Sequence, residues 1–173
     1  MAKNSPSSIV VCVDGSAPAE EAFEQALDLC LKLGRPMQVV TVVPSANIYY
    51  LTGPPPAVPD EEQVRYHWEL AARYVERAKA RGVKEAGFVV LDGNPVDAIL
   101  DHLEREPIEL LVVGARGLSR TQRLLLGSVS SALVQQAKCS ILVAKVKVRG
   151  VSAATDLDRS PQKTRRVEAA PFA

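Results

Sequence analysis

The chain is short of cysteine, and the three it has, Cys12, Cys30 and Cys139, are widely spaced and odd in number. They form no CxxC pair, and the two histidines, His67 and His102, complete no zinc spacing with them. Unpaired thiols packed in the interior are expected, because a free Cys behaves as a small core residue; a redox role for Cys12 is the lesser reading. No stretch approaches the roughly 18 uncharged apolar residues that a membrane span needs. The opening Met-Ala-Lys-Asn-Ser-Pro-Ser-Ser lacks the apolar centre of a secretory signal, which predicts a cytosolic location. Excess charge is missing too, since the formal net charge is +1. Seven Lys or Arg stand against three Asp or Glu between Lys145 and Ala173. The remainder is therefore slightly acidic and offers no nucleic-acid groove. No Lys stands in a Gly-x4-Gly-Lys-Ser/Thr frame, which excludes a P-loop. Neither a Gly-x-Ser-x-Gly elbow nor paired carboxylates mark a catalytic centre.

What is present is globular. The 173 residues are 47% hydrophobic and 24% charged, enough for one ordinary domain over residues 1–148. A basic tail, 149–173, lacks apolar periodicity, and its composition predicts disorder. Five short apolar runs read as strands: Ser8 to Val13, Met37 to Val43, Ala86 to Leu91, Glu109 to Gly114, and Ser140 to about Val148. Helical patterns lie between them, ending at Gly34, at Gly82, before Pro107 and near Ala137, the last starting at Gly127. Pro44 to Asp60, which includes Tyr49, Tyr50 and three consecutive prolines, is a long loop of the functional or disordered kind. Alternating strands and helices imply parallel pairing through right-handed crossovers. The expected fold is α/β, a doubly wound open sheet of five parallel strands in the order 3-2-1-4-5, with helices on both faces. That order reverses direction between strands 1 and 4 and opens a crevice at their carboxyl ends.

Two segments meet at this crevice. Asp14-Gly15-Ser16 follows the first strand, while Gly114-Ala-Arg-Gly117, nine residues and then Gly127-Ser128-Val129-Ser130 link the fourth strand to the fourth helix. Glycines after a strand let the backbone approach a ligand closely. A helix that opens on Gly-Ser presents unpaired N–H groups, the positive end of its dipole and a hydroxyl. Together these are the chemistry of a phosphate cradle. Taken singly, each residue is also an ordinary turn or N-cap residue. Arg116, Arg120 and Arg123 can neutralise phosphates or form a solvated basic loop. Asp14 suits a ribose hydroxyl or an adenine amino group, or else it caps the first helix. Tyr49 and Tyr50 either cover an adenine or pack on the sheet. His67 and His102 fall in predicted helices, where a packing or surface role is expected.

Val13-Asp14-Gly15-Ser16, taken with Gly114-x2-Gly117-x9-Gly127-Ser128, resembles the universal stress protein family in its ATP-binding branch, over about residues 8–146. The resemblance implies a fold of the adenine nucleotide alpha-hydrolase type and an adenine nucleotide as ligand: ATP, or AMP or ADP, with Mg²⁺ as a further candidate. It implies Val13 and Asp14 near the adenine and ribose, and Val42 meeting the adenine edge through its backbone. Gly114, Arg116 and Gly117 would line the ribose and α/β-phosphates, and Gly127, Ser128, Val129 and Ser130 would hold the outer phosphates. A homodimer through the last strand, Cys139 to Val146, and a role in stress response as a nucleotide-dependent sensor or regulator are implied as well. The chain departs from the family at Thr41, where many members have His, and at Cys139-Ser140, where many have Cys-Pro. Neither departure touches the phosphate pattern. Two rival functions stand beside this one: a slow ATP hydrolase, for which no catalytic residue stands out, and a dimeric interaction module that binds no nucleotide.

Overall fold

The β-branched run Ser8–Cys12 (β1) is apolar on both faces, and both faces are covered, with Ile9 at 1% exposure and Val10 and Val11 at 0%. Such a strand belongs in the middle of a parallel sheet. The computed structural model, which describes residues 8–44, 61–116 and 126–146, places it there. After β1 come α1 (Ala17–Leu33), β2 (Met37–Pro44), α2 (Glu61–Ala80), β3 (Ala86–Gly93), α3 (Pro95–Arg105), β4 (Ile108–Gly114), α4 (Ser128–Gln136) and β5 (Ser140–Ala144). The sheet order is β3-β2-β1-β4-β5 and all its pairings are parallel, as the alternation of elements predicts. Tyr49, Tyr50, Gly117, Arg120, Arg123 and the tail 149–173 lie outside the described residues. Among those described, no helix is long and apolar enough to cross a membrane.

The two faces of the sheet hold separate cores. α1 and α2 cover one, where Phe23, Leu27, Val39 and Ala71 are all at 0% exposure. α3 and α4 cover the other around Val10, Val40, Leu111 and Leu133. Fully burying a side chain such as Phe23 or Leu27 contributes about 1.5–3 kcal/mol. Phe23 stacks at a tilt on Tyr74, 4.7 Å between centroids. Tyr74 donates to Glu20 Oε2 at 2.9 Å, and Arg77 binds the same carboxylate. This knot of α1 and α2 side chains steadies the start of α1, next to the loop after β1.

Element ends depart from expectation in two places. β3 continues through Asp92 and Gly93, which pair with Val43 and Pro44 instead of forming the expected turn. Asn94 then caps α3 directly. β5 stops at Ala144 rather than near Val148, because β4 ends at Gly114 and the Gly114–Ala144 pair is the last rung.

Candidate functional site

At the carboxyl edge of the sheet β1 ends early. Val13 N–H still donates to Val40 C=O at 2.9 Å, but β2 runs on to Pro44 paired only with β3. Backbone groups alternate in direction along a strand. Val42 therefore turns its N–H and C=O to the same side as Val40, into the gap that β1 has vacated. Past Val13 the chain turns through Asp14, whose Oδ1 accepts the N–H of Ser16 at 2.9 Å. Gly15 makes this turn possible with a φ of 80°, a conformation that side chains disfavour. Ser16, and not Asp14, caps α1, its Oγ accepting from Ala19 N–H at 3.3 Å. Asp14 Oδ2 has no partner among the described residues and remains available as an acceptor.

Across the gap, the glycine motif divides into residues with different jobs. A Cβ on Gly114 would lie 2.7 Å from the carbonyl carbon of Pro18 and 2.9 Å from Ala19 N. This glycine is required for α1 to cross β4 closely. Ala115 then anchors both ends of the connection: its N–H donates to Ala144 C=O at 2.7 Å, and its C=O accepts from Gly127 N–H at 2.7 Å. The Ser130 hydroxyl, 4% exposed, also points at Ala115 C=O, 3.0 Å away. The Gly127 amide and the Ser130 hydroxyl, expected to face phosphate, are thus engaged in closing the loop. What stays open is the first turn of α4. Gly127 is its N-cap, with no side-chain capping bond, and the amides of Ser128, Val129 and Ser130 have no acceptor among the described residues. Among the described residues nothing demands glycine at 127, since an added Cβ would come no nearer to them than 3.4 Å, to Arg116 Cα.

Between these edges lies a cavity of about 340 Å³, within the usual range of about 300–1,000 Å³ for small-molecule sites. Val13, Val40, Ile99, Val113 and Leu133 make its walls apolar, and Asp14, Thr41, Tyr66, His67 and Arg116 supply polar groups. Val42, Gly114, Gly127, Ser128, Val129 and Ser130 line it as well. Every sequence-predicted site residue that the structure describes is therefore brought to one hollow; Gly117, Arg120, Arg123, Tyr49 and Tyr50 lie outside the described residues. Arg116 has no carboxylate partner among the described residues. Cys12 also lines the hollow and is only half-buried, as is Cys139, whereas Cys30 is buried; all three are free. Burial, aided by the Asp14 charge, pushes the Cys12 thiol pKa up to about 12. That keeps it protonated and removes the basis for a redox role.

His67, for which a packing or surface role is expected, does pack, with Nδ1 2.7 Å from Thr41 Oγ1, and α2 also carries it to the cavity wall, which the sequence did not indicate. Thr41 is 1% exposed, and this is its one side-chain partner among the described residues. Leaving its proton unpaired would cost about 1–3 kcal/mol, so Thr41 is assigned as donor and Nδ1 as acceptor. The hydrogen of neutral His67 then sits on Nε2. Burial lowers its pKa below the ordinary value, with Asp14 opposing. The only sequence clue was a hydroxyl in the β-branched run of β2, which needs a partner once buried. His102 does pack: its Nε2 lies 2.7 Å from Gln38 Oε1 on β2, away from the cavity.

An open parallel sheet with a ligand-sized cavity at its switch point, edged by an uncapped helix start, defines a doubly wound α/β protein of the Rossmann-like kind. The model of the universal stress protein family matches residues 7–145. The chain belongs to that family. It is 31% identical to a putative universal stress protein of Staphylococcus haemolyticus over 140 residues, 80% of this chain and 84% of that protein. Among solved structures, the universal stress protein UspA from Lactobacillus plantarum superposes with a TM-score of 0.71 at 21% identity, covering 82% of this chain and 99% of that one. The universal stress protein from Archaeoglobus fulgidus in complex with dAMP gives a TM-score of 0.62 at 22% identity, covering 80% of this chain and 98% of that one.

Proposed function

We propose that the cavity binds an adenine nucleotide, ATP or its ADP and AMP forms, and that the protein acts in stress response as a nucleotide-dependent sensor or regulator in the cytoplasm. One observation carries the reading: α4 starts without a side-chain cap, and its three open amides edge the cavity beside Arg116. A phosphate there satisfies donors that have no acceptor among the described residues and meets the positive end of the helix dipole. The adenine then lies among the apolar walls, its edge on the N–H and C=O of Val42. Asp14, which would repel phosphate, faces the nucleoside. The family resemblance assigns Gly117, outside the described residues, to the same phosphate contact. The dAMP complex of the Archaeoglobus fulgidus relative supports an adenine nucleotide in this fold.

No group of three or more metal-ligating side chains exists among the described residues. Mg²⁺ therefore enters the proposal only as a counter-ion of the triphosphate. β5 is an edge of the sheet, so a second copy of the chain can pair along it, and the proposed assembly is a homodimer through Cys139 to Val146. Micromolar affinity requires about 8 kcal/mol; charge-assisted bonds at about 1.5–3 kcal/mol each plus base burial reach that before ordering costs. Calorimetric titration of the protein with ATP and AMP is expected to give micromolar or tighter binding. No heat and no competition with a fluorescent adenine nucleotide would remove the reading. Phosphate release that disappears in Ser128→Ala would instead favour the slow hydrolase.

A further inference from the structure

The two sides of the cavity differ in a way that phosphate binding leaves unused. β4, α4 and Arg116 form one side; β2 and α2 form the other, with Thr41 and His67. β1 lies between them in the sheet, and Asp14 follows β1. A ligand whose phosphate rests on the amides of α4 extends across the end of β1 towards β2 and α2. Its nucleoside part therefore meets Asp14 and then His67.

The polar groups waiting there are complementary in kind. His67 spends Nδ1 on the buried Thr41 hydroxyl, so its other nitrogen is a donor, with no acceptor among the described residues. Asp14 spends Oδ1 on Ser16 N–H, so Oδ2 offers only acceptor capacity. Both residues line the same cavity, and they are close enough to act on each other electrostatically. A donor beside an acceptor fits a hydroxyl, which needs both at once. Within a nucleotide that group is the ribose hydroxyl. We infer that His67, positioned by Thr41, binds a ribose hydroxyl jointly with Asp14 and makes the site select ribonucleotides over deoxyribonucleotides. The inference rests on the nucleotide reading above and adds the feature of the ligand that the β2–α2 side recognises. Among the described residues, the other groups that titrate or carry charge around the cavity are Cys12, Tyr66 and Arg116. Cys12 stays protonated, and Arg116 lies on the phosphate side.

Titration of the full chain with AMP, 2′-deoxy-AMP, 3′-deoxy-AMP and adenosine tests this. The unaltered protein is expected to bind AMP about tenfold more tightly than at least one deoxy form, the loss of about one hydrogen bond. In His67→Phe that preference is expected to collapse, while the ratio of AMP to adenosine affinity, which reports the phosphate contacts, stays the same. Thr41→Val, which frees the ring, is expected to lower the preference partway. The chain has only two histidines, so imidazole ¹⁵N NMR on the unaltered protein gives a second readout. Saturating AMP is expected to shift the His67 Nε2 resonance and leave His102, bonded to Gln38, as an internal control. Equal affinity for AMP and both deoxy forms, a preference that survives in folded His67→Phe, or an unmoved His67 resonance overturns the role of His67 while nucleotide binding stands. Failure of every nucleotide to bind overturns both.

Discussion

α3 and α4 cover the same face of one sheet and both begin at its carboxyl edge, but their first turns are finished differently. At α3, Asn94 Oδ1 accepts from Val96 N–H at 2.9 Å and Asp97 N–H at 3.5 Å, and Pro95 removes a further donor. At α4, Gly127 caps nothing and three amides stay open towards a cavity. α1 follows the α3 pattern, with Ser16 and Pro18. At α1 and α3 the chain supplies a capping side chain; at α4 no described residue does, and in the proposed function the partner is a phosphate. The same contrast separates Gly114 from Gly127, since Gly114 is demanded by the backbone of α1 and Gly127 by nothing among the described residues.

The largest effect is expected from Gly114→Ala, which forces α1 away from β4. Urea unfolding should show a loss of about 1–3 kcal/mol or more from overpacking, and a neutral result would remove Gly114 from the packing account. Next comes Gly127→Ser, which turns α4 into a helix of the α3 type. The backbone at 127 already has φ −73° and ψ 164°, which suits a serine cap. Stability should rise by only about a few tenths of a kcal/mol, since glycine is itself a tolerated N-cap. Nucleotide affinity should fall about tenfold, or about 1.4 kcal/mol, because the new hydroxyl oxygen takes an amide meant for phosphate. Asn94→Ala is the reverse experiment, with about 1 kcal/mol of stability lost and calorimetric nucleotide binding unchanged. If the two cap variants shift affinity alike, the contrast between α3 and α4 has no functional meaning.

The smallest effect concerns pH. His67 and His102 both have pKa values lowered from 6.5, in each case chiefly by burial. Folding favours their neutral forms, so their contribution is complete above about 6.5 and is lost as pH falls through the lowered native values. Glu20, held below its ordinary value chiefly by Arg77, adds a loss only at more acidic pH. Urea midpoints followed from pH 7.5 downward should decline first in the histidine window, and His67→Phe should flatten part of that decline. A flat profile in that window for the unaltered chain would contradict the assigned burial of both rings.

Strand order, parallel pairing and the position of the crevice were legible in the chain because they follow from local patterns: apolar runs, helical spacing and the alternation of strands with helices. The glycine spacing from 114 to 127 spans the connection whose described ends, Gly114 to Arg116 and Gly127 to Ser130, include residues that line the cavity. Other features depended on distances that sequence does not encode. Tertiary packing decided that His67 reaches Thr41 across 26 positions, that Ser16 rather than Asp14 caps α1, and that Gly114 serves a helix crossing. It also decided that the Gly127 amide is taken by Ala115 while the next three remain open. A hydrogen bond is settled within a few tenths of an ångström between groups far apart in the chain, whereas periodicity is written into neighbouring residues. The sequence alone therefore determined the scaffold and its crevice, and the folded chain decided which donors the crevice keeps free.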